Sequence, residues 1–295
     1  MLLWERVIGL GEVMDFPGII SAEKEVMEKV RRTLESGKVV EGHAPMLKGK
    51  ALSAYIAAGV LSCHESTTRD EVVEKVRRGM FTYIREGSAW LDVKECIKAI
   101  TMDGIAHTFT SLVTDDRDAR TIERLGHVNH VVIRAIEEGL DPIRAIQMAT
   151  INPAIRFGMT DEPGGIAPFR FADIIVLKRL ERTKPEMVFA NGKLVAKDGK
   201  MVIEMSKKPI PSYVLNSVKV NKKIVPADFA IKSNGRNRVR VIGVIEGSVL
   251  TKHLIRELPI SNNEVLADPK NMYSRSRSSK DMEGMEAEDS WRDSH

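Results

Sequence analysis

The spacing of apolar residues in the first half of the chain predicts short strands that alternate with amphipathic helices. The segment 22–35, for example, places Val26, Val30 and Leu34 on one helical face, and Gly37 follows it as a stop signal. Strands that alternate with helices are typical of a parallel sheet covered by helices. The predicted strands are residues 7–14, 38–41, 58–61, 80–88 and 108–116, and the predicted helices are residues 22–35, 50–57, 69–78, 91–100, 128–138 and 142–149.

A different pattern begins after Gly158, where short apolar stretches follow one another without helical spacing. We predict strands over residues 172–177, 185–190 and 193–196, with Asn191-Gly192 as a hairpin turn between the last two. From about residue 261 the chain has almost no apolar periodicity, which is typical of disorder. The predicted regions are therefore an α/β region over residues 1–160, a small β domain over residues 161–260 and a disordered tail over residues 261–295.

Composition and charge limit the classes of partner and the cellular compartment that we expect. The chain has 295 residues and a formal net charge of +4, with basic residues interspersed among acidic ones, so we expect no nucleic-acid partner. No apolar run approaches the roughly 18 residues that cross a bilayer, so we expect no membrane partner. The two cysteines, Cys63 and Cys96, make no disulfide framework, and the first residues do not resemble a secretory signal. These features predict a cytoplasmic protein.

Ionisable side chains follow several of the predicted strands. Glu12 ends the first strand, His43 and His64 follow the second and third, and Asp115 ends the last. Catalytic groups of a parallel α/β barrel lie at the carboxyl ends of its strands. Each residue alone also fits an ordinary role, as a packed histidine, a strand-end acid or a helix cap. Together they predict a divalent metal site, with Glu12 and Asp115 as the catalytic candidates.

Four further residues near these strand ends are candidates for substrate contact, and each has a structural alternative. They are Glu65, Arg85, Ser88 and His127. For the first three, a structural ion pair or hydrogen bond is an equal expectation. His127 begins a predicted helix, where packing or capping is the stronger expectation.

Seven short motifs carry a resemblance to a known family. They are VIGLGEVM at residues 7–14, GHAP at 42–45, HESTT at 64–68, IREGSA at 84–89, TDDR at 114–117, GHVNH at 126–130 and AIQMATINPA at 145–154. Because these motifs occur in order and at the spacing of barrel strands, residues 5–205 resemble the adenine deaminases of the amidohydrolase superfamily.

The resemblance implies a TIM-like (β/α) barrel, represented here by about strands four to eight, followed by a small β-sandwich domain. It also implies hydrolysis of adenine to hypoxanthine and ammonia with a divalent metal, which is manganese, iron or zinc. Glu12 corresponds to a carboxylate that bridges metals, and His43 and His64 correspond to metal ligands of the next two strands. Asp115 corresponds to the last barrel aspartate, which contacts metal and moves the proton.

Two departures from the family pattern change these expectations. No His-x-His motif occurs in the sequence, whereas the family carries one on barrel strand one. The resemblance therefore implies a truncated chain with impaired or absent deaminase activity in isolation. Alternatives are a homo-oligomer, a complementary chain that supplies the other barrel half, a non-catalytic half of a split enzyme, a pseudogene product, or an amidohydrolase for another cyclic amidine or amide. Cys63 also stands where an aspartate is usual, and Phe169 where a glycine is usual.

Overall fold

The computed structural model describes residues 2–204, 209–215, 223–268 and 274. The described residues form two compact units, and residues 246–249 belong to the first unit together with residues 2–204. The other described residues between 209 and 268 form the second unit. The predicted boundaries at residues 160 and 260 stay predictions.

The first 160 residues contain five short strands that alternate with helices. All the pairings between these strands are parallel: β1 pairs with β2, β3 with β4, and β4 with β5. The strands are β1 (Gly9–Val13), β2 (Val39–Gly42), β3 (Ser62–Cys63), β4 (Phe81–Arg85) and β5 (Thr110–Val113). The helices are α1 (Phe16–Ile20), α2 (Lys24–Glu35), α3 (Gly49–Ala57), α4 (Arg69–Arg77), α5 (Val93–Cys96), α6 (Lys98–Thr101), α7 (Ala119–Leu125), α8 (Val128–Glu137), α9 (Pro142–Ala149) and α10 (Ile151–Arg156).

Several predicted elements are confirmed, and others are corrected for local reasons. The predicted third strand, residues 58–61, is wrong: Gly59 has φ +98°, which turns the chain, and β3 begins only at Ser62. The single helix predicted over residues 91–100 is two short helices, α5 and α6. Helices α7 and α10 were not predicted, because few residues separate them from their neighbours.

Two apolar clusters pack the helices against the strands of the first unit. One contains Ile84 of β4, Val131 of α8 and Met148 of α9, and all three residues are fully buried. The other contains Val40 of β2 and Leu52 of α3. The strands are therefore held by apolar contacts on the helix-facing side, and their carboxyl ends carry the polar side chains.

After α10 the chain forms antiparallel strands. Strands β6 (Ile174–Arg179), β7 (Arg182–Ala190), β8 (Lys193–Lys197) and β9 (Lys200–Met201) make one sheet in that order. The predicted turn at Asn191-Gly192 is confirmed, since β7 pairs with β8 directly across it. Both turn residues have positive φ, 49° and 74°, as this class of tight hairpin requires.

The second unit contains one short helix and further strands. These are α11 (Ser212–Leu215), β10 (Ile231–Lys232), β11 (Arg238–Val244), β12 (Thr251–Glu257), β13 (Ile260–Ser261) and β14 (Glu264–Val265). Asn262 and Asn263, both at positive φ, join β13 and β14 in a hairpin that lies inside the region predicted as a disordered tail. Residues 269–295 of that prediction, apart from Ser274, lie outside the described residues.

Candidate active site

The carboxyl ends of β1, β2 and β3 bring a carboxylate and two imidazoles together. Oε2 of Glu12 lies 2.7 Å from Nε2 of His64 and 3.6 Å from Nδ1 of His43. The two ring nitrogens are 3.3 Å apart. These three side chains, which we call the metal group, therefore present three ligand atoms to one point.

Gly42, the last residue of β2, permits this convergence. A Cβ at this position would lie 2.4 Å from the carbonyl oxygen of Ser62 on β3, which is a backbone atom. The Gly42 N–H also donates to Oγ of Ser62 at 3.2 Å. Because β2 and β3 approach this closely only around glycine, Gly42 sets the separation of the two histidines that follow these strands.

Burial and backbone contacts set the protonation and the position of His43. Burial lowers the pKa of His43, and the nearby Glu65 and Glu12 carboxylates only partly oppose this. The neutral imidazole is the form that ligates metals. The His43 N–H donates to the hydroxyl of the buried Tyr55 at 3.1 Å, and that hydroxyl donates to the carbonyl of Val13 at 2.7 Å. No sequence pattern marked Tyr55 as a site residue, because a tyrosine on an apolar helix face signals only core packing.

Glu65 and Asp115 lie around the guanidinium of Arg85, which ends β4. Nη1 of Arg85 donates to Oε1 of Glu65 at 2.6 Å and to Oδ2 of Asp115 at 2.7 Å. Nη2 donates to the other Glu65 oxygen at 2.9 Å, so the Glu65 contact is bidentate. The Arg85 side chain is fully buried. These contacts make Arg85 the partner of two site carboxylates, and its predicted contact with substrate stays a prediction.

The opposite side of Arg85 contacts two residues that the sequence analysis missed. Oδ2 of Asp92 accepts from Nε at 2.9 Å and from Nη2 at 2.8 Å. The Trp90 ring lies 4.8 Å from the guanidinium carbon, in cation–π range. Burial raises the pKa of Asp92 to about 6, against the lowering effect of Arg85. An acid seven residues after an arginine gives no periodic signal, so only the fold reveals this pair.

The backbone directs Asp115 toward the site. Its φ is +60°, in the left-handed region, where aspartate is among the few non-glycine residues that are tolerated. The Arg117 N–H donates to the Asp115 carbonyl at 2.8 Å. The side chain is 34% exposed, in contrast to Arg85 behind it. Ligand atoms of His64, Glu65 and Asp115 also lie within 4.8 Å of one another, which links Asp115 to the metal group.

Ser88 and His127 occupy the loops around this centre. The Ser88 N–H donates to the carbonyl of Asp116 at 3.0 Å, and Oγ of Ser88 accepts from the Asp118 N–H at 2.9 Å. His127 precedes α8, and its Nε2 lies 3.4 Å from Oγ1 of Thr114. Ser88 also lines a cavity of 370 Å³ with side chains of α7 and α8. Substrate contact by either residue stays a prediction.

A buried cluster behind His64 was not foreseen from the sequence. Sγ of Cys63 accepts hydrogen bonds from the N–H groups of Ala44 and Glu65, both at 3.4 Å, and from Nζ of Lys75 at 3.3 Å. Nζ of Lys75 also lies 3.3 Å from Oε2 of Glu71. An i, i+4 acid–base pair on a helix normally indicates the solvent face, so the burial of this pair could not be predicted. The cluster thus holds the backbone directly after His43 and directly after His64.

The donor set of the metal group fits a divalent transition metal. Two imidazole nitrogens and one carboxylate oxygen suit zinc, iron and manganese alike. The neutral form of His43, which burial favours, is also the form that binds a metal. A divalent metal would also account for the convergence of so many ionisable groups at one strand edge, where the Glu12 carboxylate lies by two imidazoles and near the carboxylates of Glu65 and Asp115.

Comparison with known proteins gives the family context of this site. The model of the Amidohydrolase family matches residues 5–195. The chain is 43% identical over 268 residues to the adenine deaminase of Staphylothermus marinus, 41% identical over 268 residues to that of Moorella thermoacetica, and 42% identical over 271 residues to adenine deaminase 3 of Rhizobium meliloti. Each alignment covers 90% of this chain but only 44–45% of the relative, so the chain spans less than half the length of these relatives.

Solved structures support the fold. Two structures of a β-aspartyl dipeptidase from Fervidobacterium islandicum AW-1 superpose with TM-scores of 0.55 and 0.51 at 19% and 18% identity. Each match covers 70% of this chain, and they cover 60% and 62% of the dipeptidase chain. The family match extends over more than half of the chain and includes every residue of the metal group, and this chain therefore belongs to the amidohydrolase family.

Proposed function

We propose that this chain contributes the metal-dependent site of an adenine deaminase, which hydrolyses adenine to hypoxanthine and ammonia. The observation that carries the proposal is the metal group of Glu12, His43 and His64, placed within a sequence that is 41–43% identical to curated adenine deaminases. The metal group by itself is compatible with other amidohydrolase substrates. The identity of the flanking sequence favours adenine over another cyclic amidine or amide.

Glu12, His43 and His64 would hold the divalent metal, which we propose to be manganese, iron or zinc. Such a metal supplies activated water for hydrolysis near neutral pH. Asp115 is placed to carry a proton, since its carboxylate lies beside the metal group and is partly exposed. In this role Asp115 takes a proton from the water and passes it to the departing ammonia. A direct bond from Asp115 to metal, as the resemblance implies, stays a prediction.

The finer architecture is part of the same proposal. We propose that β1 to β5 correspond to strands four to eight of the amidohydrolase barrel, because they follow one another in chain order with parallel pairing. The antiparallel sheet β6 to β9 would belong to the small β domain that accompanies the barrel. Among the described residues, no helix is long and apolar enough to cross a membrane. A cytoplasmic location remains our proposal.

A second candidate function follows from the length comparison. The chain spans 44–45% of the curated adenine deaminases that it matches. Among the described strands, β1 pairs only with β2, so its other edge is available to a further strand. A complementary polypeptide, or a second copy of this chain, would then complete the site, and the chain alone would have impaired activity or none. In that case adenine is hydrolysed only by the assembled complex.

Ammonia release from a panel of substrates tests the proposal. Metal-free chain is incubated with added manganese, iron or zinc and with adenine, cytosine or a cyclic amide. We expect release from adenine that stops when a chelator is added. Ammonia release only from cytosine, or ring opening of the cyclic amide followed by chromatography because it releases no ammonia, would contradict the proposed substrate. Ammonia release from adenine only after a complementary polypeptide is added would favour the second candidate.

A further inference from the structure

We propose that the Glu41 carboxylate joins the two parallel ladders, β1–β2 and β3–β4–β5, at the place where the metal group forms, and so fixes the spacing of His43 and His64. Glu41 is then a positioning residue, because it acts through the two histidines rather than on metal or substrate. The inference rests on the proposed function only for the metal at Glu12, His43 and His64.

A gap in the backbone pairing lies between the two histidines. Among the described strands, β1 pairs with β2, and β3 continues through β4 to β5, but no ladder joins β2 to β3. His43 follows β2 and His64 follows β3, so the two imidazoles stand on opposite sides of this gap. In a continuous sheet the backbone hydrogen bonds set the distance between neighbouring strands. Across this gap, side-chain contacts set it instead.

The Glu41 carboxylate on β2 is bonded from the other side of the gap. Oε2 of Glu41 accepts hydrogen bonds from the hydroxyl of Ser62 on β3 at 2.7 Å and from that of Tyr83 on β4 at 2.6 Å. Oγ of Ser62 also accepts from the Gly42 N–H at 3.2 Å, so Ser62 bonds both the side chain and the backbone of β2. Glu41 and Ser62 each lie two residues before a histidine of the metal group. One carboxylate oxygen therefore ties β2 to β3 and β4 next to the metal ligands.

Arg156 of α10 holds the other oxygen of this carboxylate. Nη2 of Arg156 lies 2.6 Å from Oε1 of Glu41 and donates to the carbonyl of Val40 at 2.9 Å. The side chains of Glu41 and Arg156 are only 16% and 11% exposed, so salt and water screen this ion pair little. Burial and the Glu41 carboxylate raise the pKa of Tyr83, so its hydroxyl stays a donor. Three different elements thus hold the carboxylate of β2.

Another contact crosses the same gap, but it is weaker. The Ala44 N–H donates to Sγ of Cys63 at 3.4 Å, and a cysteine sulfur is a weak acceptor. A hydrogen bond to a carboxylate is charge-assisted and roughly twice as strong as one between neutral groups. The bonds of Glu41 are therefore the stronger link between the strands that carry the two histidines.

Cobalt binding by the full chain tests the inference, because the visible absorption of bound Co²⁺ reports the arrangement of its ligands. Metal-free wild type, Glu41→Ala and Ser62→Ala are titrated with Co²⁺. Both variants should bind Co²⁺ about 10-fold or more weakly and shift its absorption bands, as loss of an outer contact of a metal site does. Wild-type affinity and bands in folded Glu41→Ala would overturn the inference.

Glu41→Gln takes the place of Glu41→Ala if that variant does not fold. It keeps the shape of the side chain and one acceptor oxygen but loses the charge that pairs with Arg156. Glu41→Gln should also weaken Co²⁺ binding and shift the bands. Wild-type affinity and bands in this variant would equally overturn the inference.

Ser111→Ala is the matched control for Ser62→Ala. Both serines are buried strand residues whose hydroxyls donate, but Oγ of Ser111 donates to the Met148 carbonyl at 2.6 Å and joins β5 to α9. Ser111→Ala should therefore lower the free energy of unfolding while leaving the Co²⁺ affinity and bands unchanged. An equal loss of affinity in Ser111→Ala would overturn the inference, because general destabilisation would then explain both variants.

Crystals of the metal-free protein separate this inference from the proposed function. Nδ1 of His43 and Nε2 of His64, which lie 3.3 Å apart in the wild type, should be farther apart in the folded Glu41 variant. An unchanged separation would overturn the inference. If the wild type binds no Co²⁺, the metal assignment and the proposed function fail, and this separation alone then decides the inference.

Discussion

At the scale of single residues, the site depends on a few side chains whose charge is buried. Arg85 faces Glu65, Asp92 and Asp115, so one guanidinium neutralises only part of the negative charge around it. Removing one partner of such a buried set leaves the others without compensation, which costs more than the pair itself contributes. The pKa of Asp92, raised to about 6, reflects this balance, because burial and two nearby carboxylates outweigh Arg85.

The raised pKa of Asp92 predicts a pH-dependent stability. The folded chain binds the Asp92 proton more tightly than the unfolded chain, so unfolding releases a proton between the ordinary pKa of 3.8 and about 6. The free energy of unfolding should therefore fall by about 2 kcal/mol from this group as the pH rises from 4 to 6. Urea unfolding of wild type and Asp92→Asn at both pH values measures it. The variant should show a smaller fall, and equal falls would contradict the assignment.

Gly42 gives a second prediction at this scale. Gly42→Ala places a Cβ against a backbone oxygen of β3, so the two strands must separate. We expect a loss of about 1–3 kcal/mol in the free energy of unfolding and weaker manganese binding, because the histidines move apart. Gly165→Ala is the control, since its added Cβ meets only the flexible tip of Arg170. Manganese affinity that is unchanged in Gly42→Ala would contradict the role given to this glycine.

At the scale of secondary-structure elements, local signals bear more on where a capped helix begins than on where a strand begins. Capping residues mark helix starts in the sequence itself, and Thr68 caps α4, with Oγ1 3.3 Å from the backbone nitrogen of Glu71. Strand bounds depend on partners that the local sequence does not contain. The apolar run before His64 therefore suggested a strand too early, and Gly59 instead turns the chain there.

The Thr68 cap can be tested against its neighbour. Thr68→Ala should lower the free energy of unfolding by about 1 kcal/mol, because the Glu71 N–H loses its acceptor. Thr67→Ala is the matched control, since Thr67 contacts the Glu71 side chain but caps no N–H. Chemical denaturation of both variants gives the comparison. Equal losses would show that the cap is not the source of the effect.

At the scale of the whole molecule, the α/β pattern and the ends of its strands could be predicted from the sequence. Parallel strands place successive carboxyl ends together, so the sequence alone predicted that Glu12, His43, His64 and Asp115 lie near one another, as they do in the structure. An ion pair of Arg85 was one of two expectations, but the burial of Arg85 and Lys75 could not be predicted, since periodicity assigns charged residues to the surface. The partners of Arg85 lie outside β4, and the partner of Lys75 lies on the same helix, on a face that packing buries.

Metal binding should also stabilise the folded chain as a whole. A ligand that binds only the folded state raises the free energy of unfolding, by about 2.7 kcal/mol at a concentration one hundred times its Kd. Manganese should therefore raise the thermal midpoint of the wild type, and a chelator should reverse the shift. Glu12→Gln should show no such shift. A shift of equal size in this variant would place the metal elsewhere.

The most direct test of the account measures ammonia release from adenine and bound manganese on the same samples of wild type and Glu12→Gln. We predict turnover and bound manganese in the wild type, with both lost in the variant. Turnover that persists in a metal-free Glu12→Gln sample would contradict the central claim that Glu12, His43 and His64 form the metal centre of an adenine-hydrolysing site.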